Sequence, residues 1–235
     1  YMKRCLLIAA VSMAGAGALA AQAKPAAQNS RPLTQTEWTL AFARAMPYKT
    51  FLATDTTRAA AWAAAEERTG STVATVMRET PPPAGTWRLL VVAENSCSDA
   101  LAALPYVARL VDQMPGSELR ILRRADAQPL IDSHLFNGRT ATPLVIVLDS
   151  AFRERGAWIE RAAHIQAFVT KNEGRLSEDS LWAHVRVMRR DDDGRTPLRE
   201  VIAVMRLAPL QGGAPPAKAT PGKKPVKAIE PCKLP

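Results

Sequence analysis

Trp87-Arg88-Leu89-Leu90-Val91-Val92-Ala93, followed at once by Glu94-Asn95-Ser96-Cys97-Ser98-Asp99-Ala100-Leu101, is the stretch that decides the architecture. A run of buried-type residues reads as a strand, Glu94-Asn95-Ser96 ends it, and the residues from Ser98 onward suit a helix. Cys97 therefore stands at a strand-to-helix junction. Helix N-termini carry unpaired N–H groups and a partial positive charge, and both favour thiolate over thiol. Eight residues on, Pro105 falls inside the predicted helix, which it should kink. Much further along, Thr142-Pro143 opens a second apolar run, Leu144 to Leu148.

These pieces resemble the thioredoxin fold. The resemblance is closest to a bacterial branch of thioredoxin-like proteins with a Trp-Cys-Gly-Asp-Ala/Ser motif, here Ser96-Cys97-Ser98-Asp99-Ala100 with a single cysteine. Leu104-Pro105-Tyr106-Val107-Ala108-Arg109, His134-Leu135-Phe136-Asn137-Gly138 and Thr142-Pro143-Leu144-Val145-Ile146-Val147-Leu148-Asp149 follow in order, so that the likeness spans about residues 48–207. It implies an α/β thioredoxin-like fold, a central mixed sheet flanked by helices, with a helical N-terminal extension. It also implies a cis Thr142-Pro143 bond facing the active site, where backbone groups can bond an extended peptide. Three departures bear on chemistry. Ala100 replaces the second cysteine of Cys-x-x-Cys, Val91 stands where thioredoxins carry a buried aspartate, and Ser96 replaces the usual tryptophan.

Outside the junction the reading is local. Helices are expected over 34–46, with Trp38, Phe42 and Ala45 on one face and Pro47 as the stop, over 56–68 with Gly70 as C-cap, and over 71–79 before Pro81-Pro82-Pro83. Strand 87–93, helix 97–113, strand 118–122, helix 126–135 and strand 144–149 then alternate in the manner of a βαβ unit with parallel pairing. Trp158 marks a short further strand, and helices are expected over 160–171, 177–188 and 197–206.

The first residues, Lys3 and Arg4, then apolar small residues to Ala20 and Ala21-Gln22-Ala23, read as a cleavable signal peptide over 1–23. The expected compartment is periplasmic or extracellular, with no stable membrane anchor after cleavage. A disordered leader (24–33), the helical extension (34–80), the thioredoxin-like domain (84–209) and a disordered basic Pro/Lys/Ala-rich tail (210–235) complete the organisation. Cleavage takes the formal charge from +9 to +7, and the tail carries +4 of that through its lysines. The body is thus only mildly basic. The tail holds no aromatic residue, which argues against nucleic-acid binding. Of three cysteines, Cys97 and Cys232 would remain, a pairable number in an oxidising compartment.

Cys97 is the candidate nucleophile, Thr142 and Pro143 face the substrate if the resemblance holds and otherwise merely open a strand, and Asp99 and Glu94 modulate the thiol, since nearby carboxylates oppose a thiolate. No Lys, Arg or His lies within a few residues to offset them. Cys232 is the candidate distal resolving thiol. Asp191, Asp193, Gly194 and Glu200 follow a calcium-loop spacing, but Arg189 occupies the first ligand position, so 189–196 reads as a polar inter-helix loop. His134, His164 and His184 show no ligand spacing. Tyr106, Arg109 and Arg123 could line a face near the thiol or serve packing and solubility. No cofactor or metal is expected. Two readings stay open: monothiol disulfide exchange or mixed-disulfide formation with a thiol- or disulfide-bearing protein or small thiol, or a redox-inactive peptide- or protein-binding module.

Overall fold

The computed structural model describes residues 32–210. The expectations for the signal segment, the leader up to residue 31 and the tail beyond residue 210, Cys232 included, lie outside the described residues.

A five-stranded sheet is laid out in the order β1-β3-β2-β4-β5, with β1 Met46–Pro47, β2 Trp87–Ala93, β3 Glu118–Arg123, β4 Leu144–Asp149 and β5 Glu154–Ile159. Only β2 and β3 run parallel. The β1–β3, β2–β4 and β4–β5 pairs are antiparallel, so the parallel pairing expected from the alternation of strand and helix holds for one pair and the sheet is mixed. Apart from the half-buried Arg88, β2 is apolar because it is covered twice. Leu89, Val91 and Ala93 face a core shared with α2 (Tyr48–Ala53), α3 (Ala59–Glu67), α4 (Thr69–Glu79), α5 (Ser98–Asp112) and α9 (Arg195–Met205). Leu90 and Val92 face the opposite core with Trp38 and Phe42 of α1 (Gln35–Arg44) and Leu130 and Ile131 of α6 (Gln128–Ser133). Alternate side chains of one strand thus serve two layers.

The helical segment before β2 is not a bystander. β1 joins the sheet edge beside β3, with Met46 opposite Ile121. The six-residue α2, which the sequence does not announce, follows Pro47 and buries Tyr48 and Phe51. So short a helix carries almost no periodic signal. Gly70 does not cap the helix before it; the chain turns at Arg68 and Gly70 lies in the first turn of α4.

After β5 the chain departs from expectation in one informative place. Glu160 and Arg161 are not helical. Glu160 has φ +70° and its N–H bonds the Pro143 carbonyl at 2.8 Å, so helix α7 (Ala163–Asn172) starts only beyond them. Helix α8 (Glu178–Asp192) runs further than expected, and its turn into α9 is confined to Asp193-Gly194 instead of a loop over 189–196. α7 and α8 share a small core of their own, built from Ile165, Val169, Leu181, Trp182 and Val185.

Candidate active site

Cys97 is the N-cap residue of α5, with extended backbone (φ −74°, ψ 119°) and no side-chain cap bond at that helix start. The fifteen-residue helix therefore starts, with the positive end of its dipole, at the residue that carries the sulfur. Across from it Thr142–Pro143 is a cis peptide. The Cys97 Sγ lies 3.5 Å from the Thr142 carbonyl oxygen, and the Thr142 hydroxyl donates to the sulfur at 3.9 Å. Cys97 is buried and disulfide-bonded. The chain's other two cysteines, Cys5 and Cys232, lie outside the described residues.

The loop that carries the cysteine is held from the N-terminal helices. Trp62 Nε1–H donates to the Asn95 carbonyl at 3.2 Å, Asn95 Nδ2 donates to the Phe51 carbonyl at 3.0 Å, and Arg58 Nη1 donates to the Ser96 carbonyl at 2.7 Å. Asn95 is buried, so these bonds satisfy polar groups that would otherwise be costly. Helices α2 and α3 fix the approach of the chain to Cys97.

In the first turn of α5 the electrostatics differ from the sequence expectation. Asp99 does not face the thiol unopposed. Its carboxylate takes a bidentate pair from Arg161 (Nε 3.2 Å, Nη2 2.8 Å) and a second ion pair from Arg189. Arg161 Nη2 also reaches Glu160 at 2.8 Å, and Glu160 is gripped by Arg139 from the other side. The carboxylates of Asp99 and Glu160 are fully buried, and the Arg161 side chain is 3% exposed and lies over the Trp182 ring at 5.4 Å. Burial pulls the Arg161 guanidinium down, but Asp99 and Glu160 outweigh it and the net direction is up. For Arg189 burial prevails over Asp99, and Arg161 adds to it, so the direction is down. Both remain cations, since guanidinium does not deprotonate in proteins. Three guanidiniums against two carboxylates leave the cluster one positive charge in excess.

A strand-to-helix cysteine facing a cis-proline loop at the end of a mixed sheet invites comparison with known proteins. The thioredoxin family profile matches residues 45–174, more than half of the chain. This chain belongs to the thioredoxin family. Among solved structures, a protein of unknown function from Pseudomonas aeruginosa is similar with a TM-score of 0.57 at 20% identity, covering 74% of this chain and 98% of that one. An HIV epitope-scaffold is similar with a TM-score of 0.54 at 20% identity, covering 71% of this chain and 96% of that one. At that identity these two bear on the fold alone. No curated protein is a significant match to the chain.

Against this thioredoxin framework the other sequence candidates fall into place. Glu94 turns away from the thiol: its carboxylate accepts from the Arg124 N–H at 2.9 Å and lies 4.0 Å from Arg123 Nε, which accounts for Arg123 as well. Tyr106 is engaged by the turn between α8 and α9, donating to Asp193 at 2.7 Å; burial and that carboxylate push its hydroxyl up to about 12. Arg109 lines a polar groove with Tyr48, Lys49, Glu66 and Asp112, on the flank of α5. His134 is buried between the Leu130 carbonyl and Glu154, whose Oε1 is 3.0 Å from Nε2, while His184 bonds the Ser180 carbonyl and stacks on Phe168. Among the described residues no group of His, Cys, Asp or Glu could hold a metal ion, and no helix is long and apolar enough to cross a membrane. Sequence reasoning missed Arg58, Arg139, Glu160, Arg161 and Arg189. Each acts at a site many residues away in the chain, and none carries a local pattern that would mark it.

Proposed function

We propose that this thioredoxin-family chain is an exported thiol–disulfide exchange protein in which Cys97 is the reacting sulfur and Cys232 its distal partner. The observation that carries the reading is the setting of Cys97: disulfide-bonded, at the uncapped start of α5, against the cis Thr142–Pro143 bond. Ala100 in place of a second motif cysteine means that any partner sulfur comes from elsewhere. If the first 23 residues are removed on export, Cys232 is the one other cysteine of the same chain. Reach is no obstacle. Leu210 N–H bonds the Glu154 carbonyl at the end of β5 remote from the site. The twenty-two residues from there to Cys232 could span roughly 70 Å if extended.

The exchange balances without a further oxidant. A thiolate of a dithiol partner attacks Cys97 Sγ, the Cys97–Cys232 bond breaks and Cys232 leaves as thiolate. The partner's second thiolate then attacks its own sulfur in the mixed disulfide and Cys97 leaves as thiolate. The partner is oxidised by two electrons, the cysteine pair is reduced by two, and the two protons lost by the partner's thiols pass to solvent or to the new thiolates. A partner with one thiol stops at the mixed disulfide.

Non-reducing peptide mapping of protein from the exported fraction tests this. The expected result is a mature N-terminus at Lys24 and a Cys97–Cys232 cross-link. Expression of Cys232→Ser should then accumulate mixed disulfides through Cys97 that Cys97→Ala does not form. Absence of both the cross-link and the mixed disulfides would leave the peptide-binding reading, in which Cys97 only packs.

A further inference from the structure

Asp99 is the residue whose environment is least like what the chain around it suggests. On its own it would place a carboxylate in the first turn of α5, two residues after Cys97 and opposed to a thiolate. The fold brings Arg161 from the end of β5 and Arg189 from α8 onto that carboxylate, across 62 and 90 residues of sequence. We propose that the Arg161–Asp99–Arg189 junction is a positioning device that turns the first turn of α5 from anionic to net cationic and so favours the thiolate of Cys97. This rests on the exchange reading above and supplies what sets the leaving ability of the Cys97 sulfur.

The neighbouring charges do not undo it. Glu160 is matched by Arg139 and Arg161, and Glu94 faces Arg123 and the Arg124 N–H. Asp192, which lines the same hollow as Asp99, is taken up by the N–H and hydroxyl of Thr196. Glu173 acts on Arg161 only through space, whereas Arg58 adds a cation on the Ser96 carbonyl. Because the junction is withdrawn from water, salt and solvent screen it weakly. The arginines act through Asp99 and the helix start.

Stabilising the thiolate makes Cys97 a better leaving group and its disulfide easier to reduce. The test is alkylation of Cys97 by iodoacetamide against pH in the reduced full chain, read at the Cys97 peptide by mass spectrometry so that Cys5 and Cys232 do not contribute. Arg189→Gln should raise the midpoint by about half a unit or more, Asp99→Asn should lower it, and Arg189→Lys, which keeps the charge, should stay near wild type. Loosened packing alone would move Arg189→Gln and Asp99→Asn in the same direction, toward easier access. Should Arg189→Gln fail to fold, the equilibrium of the Cys97 disulfide with glutathione decides it, Asp99→Asn lying further toward the reduced form than wild type. Midpoints that do not move, shifts of equal sign, or an unchanged glutathione equilibrium overturn the assignment and leave exchange standing. A reduced, folded wild type whose Cys97 is never alkylated overturns exchange and this inference together.

Discussion

Arg161 holds two buried carboxylates at once, and its removal should expose how much the cluster contributes to stability. Replacing it by methionine keeps the stem over Trp182 but withdraws the cation from Asp99 and Glu160. Breaking a buried pair from one side costs about 3–5 kcal/mol, and since Arg189 and Arg139 stay in place the lower end is expected for Arg161→Met. Urea unfolding measures it; a loss below about 1 kcal/mol would mean that the remaining arginines suffice. Gly194 is the second residue with a clear physical demand. It sits at φ +71°, and a Cβ there would overlap the Tyr106 ring, which is itself held by its bond to Asp193. Gly194→Ala should destabilise the fold by roughly 2–4 kcal/mol, a left-handed penalty added to overpacking, readable as a lower thermal midpoint. The calcium-like spacing around this glycine thus has a packing explanation.

Elements with strong local patterns are legible in the amino-acid order itself. β2 and β4 have the bounds that their apolar runs suggest, and α5 begins at the residue after Cys97 because the polar Glu94-Asn95-Ser96 break separates it from the strand. Weak patterns mislead. Gly70 looks like a helix terminator, yet it is an exposed helical residue whose Cβ would meet nothing within 4 Å. Gly70→Ala is therefore expected to stabilise α4 by about 0.5–1 kcal/mol through the unfolded chain's lost freedom, measured as a raised thermal midpoint. A lower midpoint would place the backbone there outside the helical region. The delayed start of α7 has an equally physical cause. Glu160 is diverted to the back of the Pro143 loop, where its N–H bonds the proline carbonyl and Arg139 grips its carboxylate, and a buried ion pair outweighs helix propensity.

At the level of the whole molecule, stability should carry a signature of Glu200, which ties α9 to β5 and α7. Its carboxylate accepts from Trp158 Nε1 at 2.7 Å and from the Ala163 N–H at 2.9 Å. Burial raises its acid above the ordinary value of 4.5, and the two N–H bonds only partly oppose this. A raised acid is stabilised in its protonated form by folding. Its contribution is fully present below the unfolded value and is lost as pH rises through the folded one. Relative to wild type, Glu200→Gln should thus become more favourable between about pH 4.5 and pH 7, by urea unfolding at several pH values; a flat or opposite trend would show the carboxylate to be stabilised as an anion. By itself the sequence determined the order of strands and helices from β2 onward and the place of Cys97 at a helix start, because these are written in contiguous stretches of apolar runs and breakers; the proline that faces Cys97 followed from the thioredoxin resemblance. Only the tertiary structure decided the charge around Asp99. Asp99 reads as a lone acid in the chain, and its meeting with Arg161 and Arg189 depends on how β5 ends and how α8 folds back over α5. Long charged side chains have no periodicity that would announce their partners, and in a buried site the partner, more than the residue, sets the electrostatics.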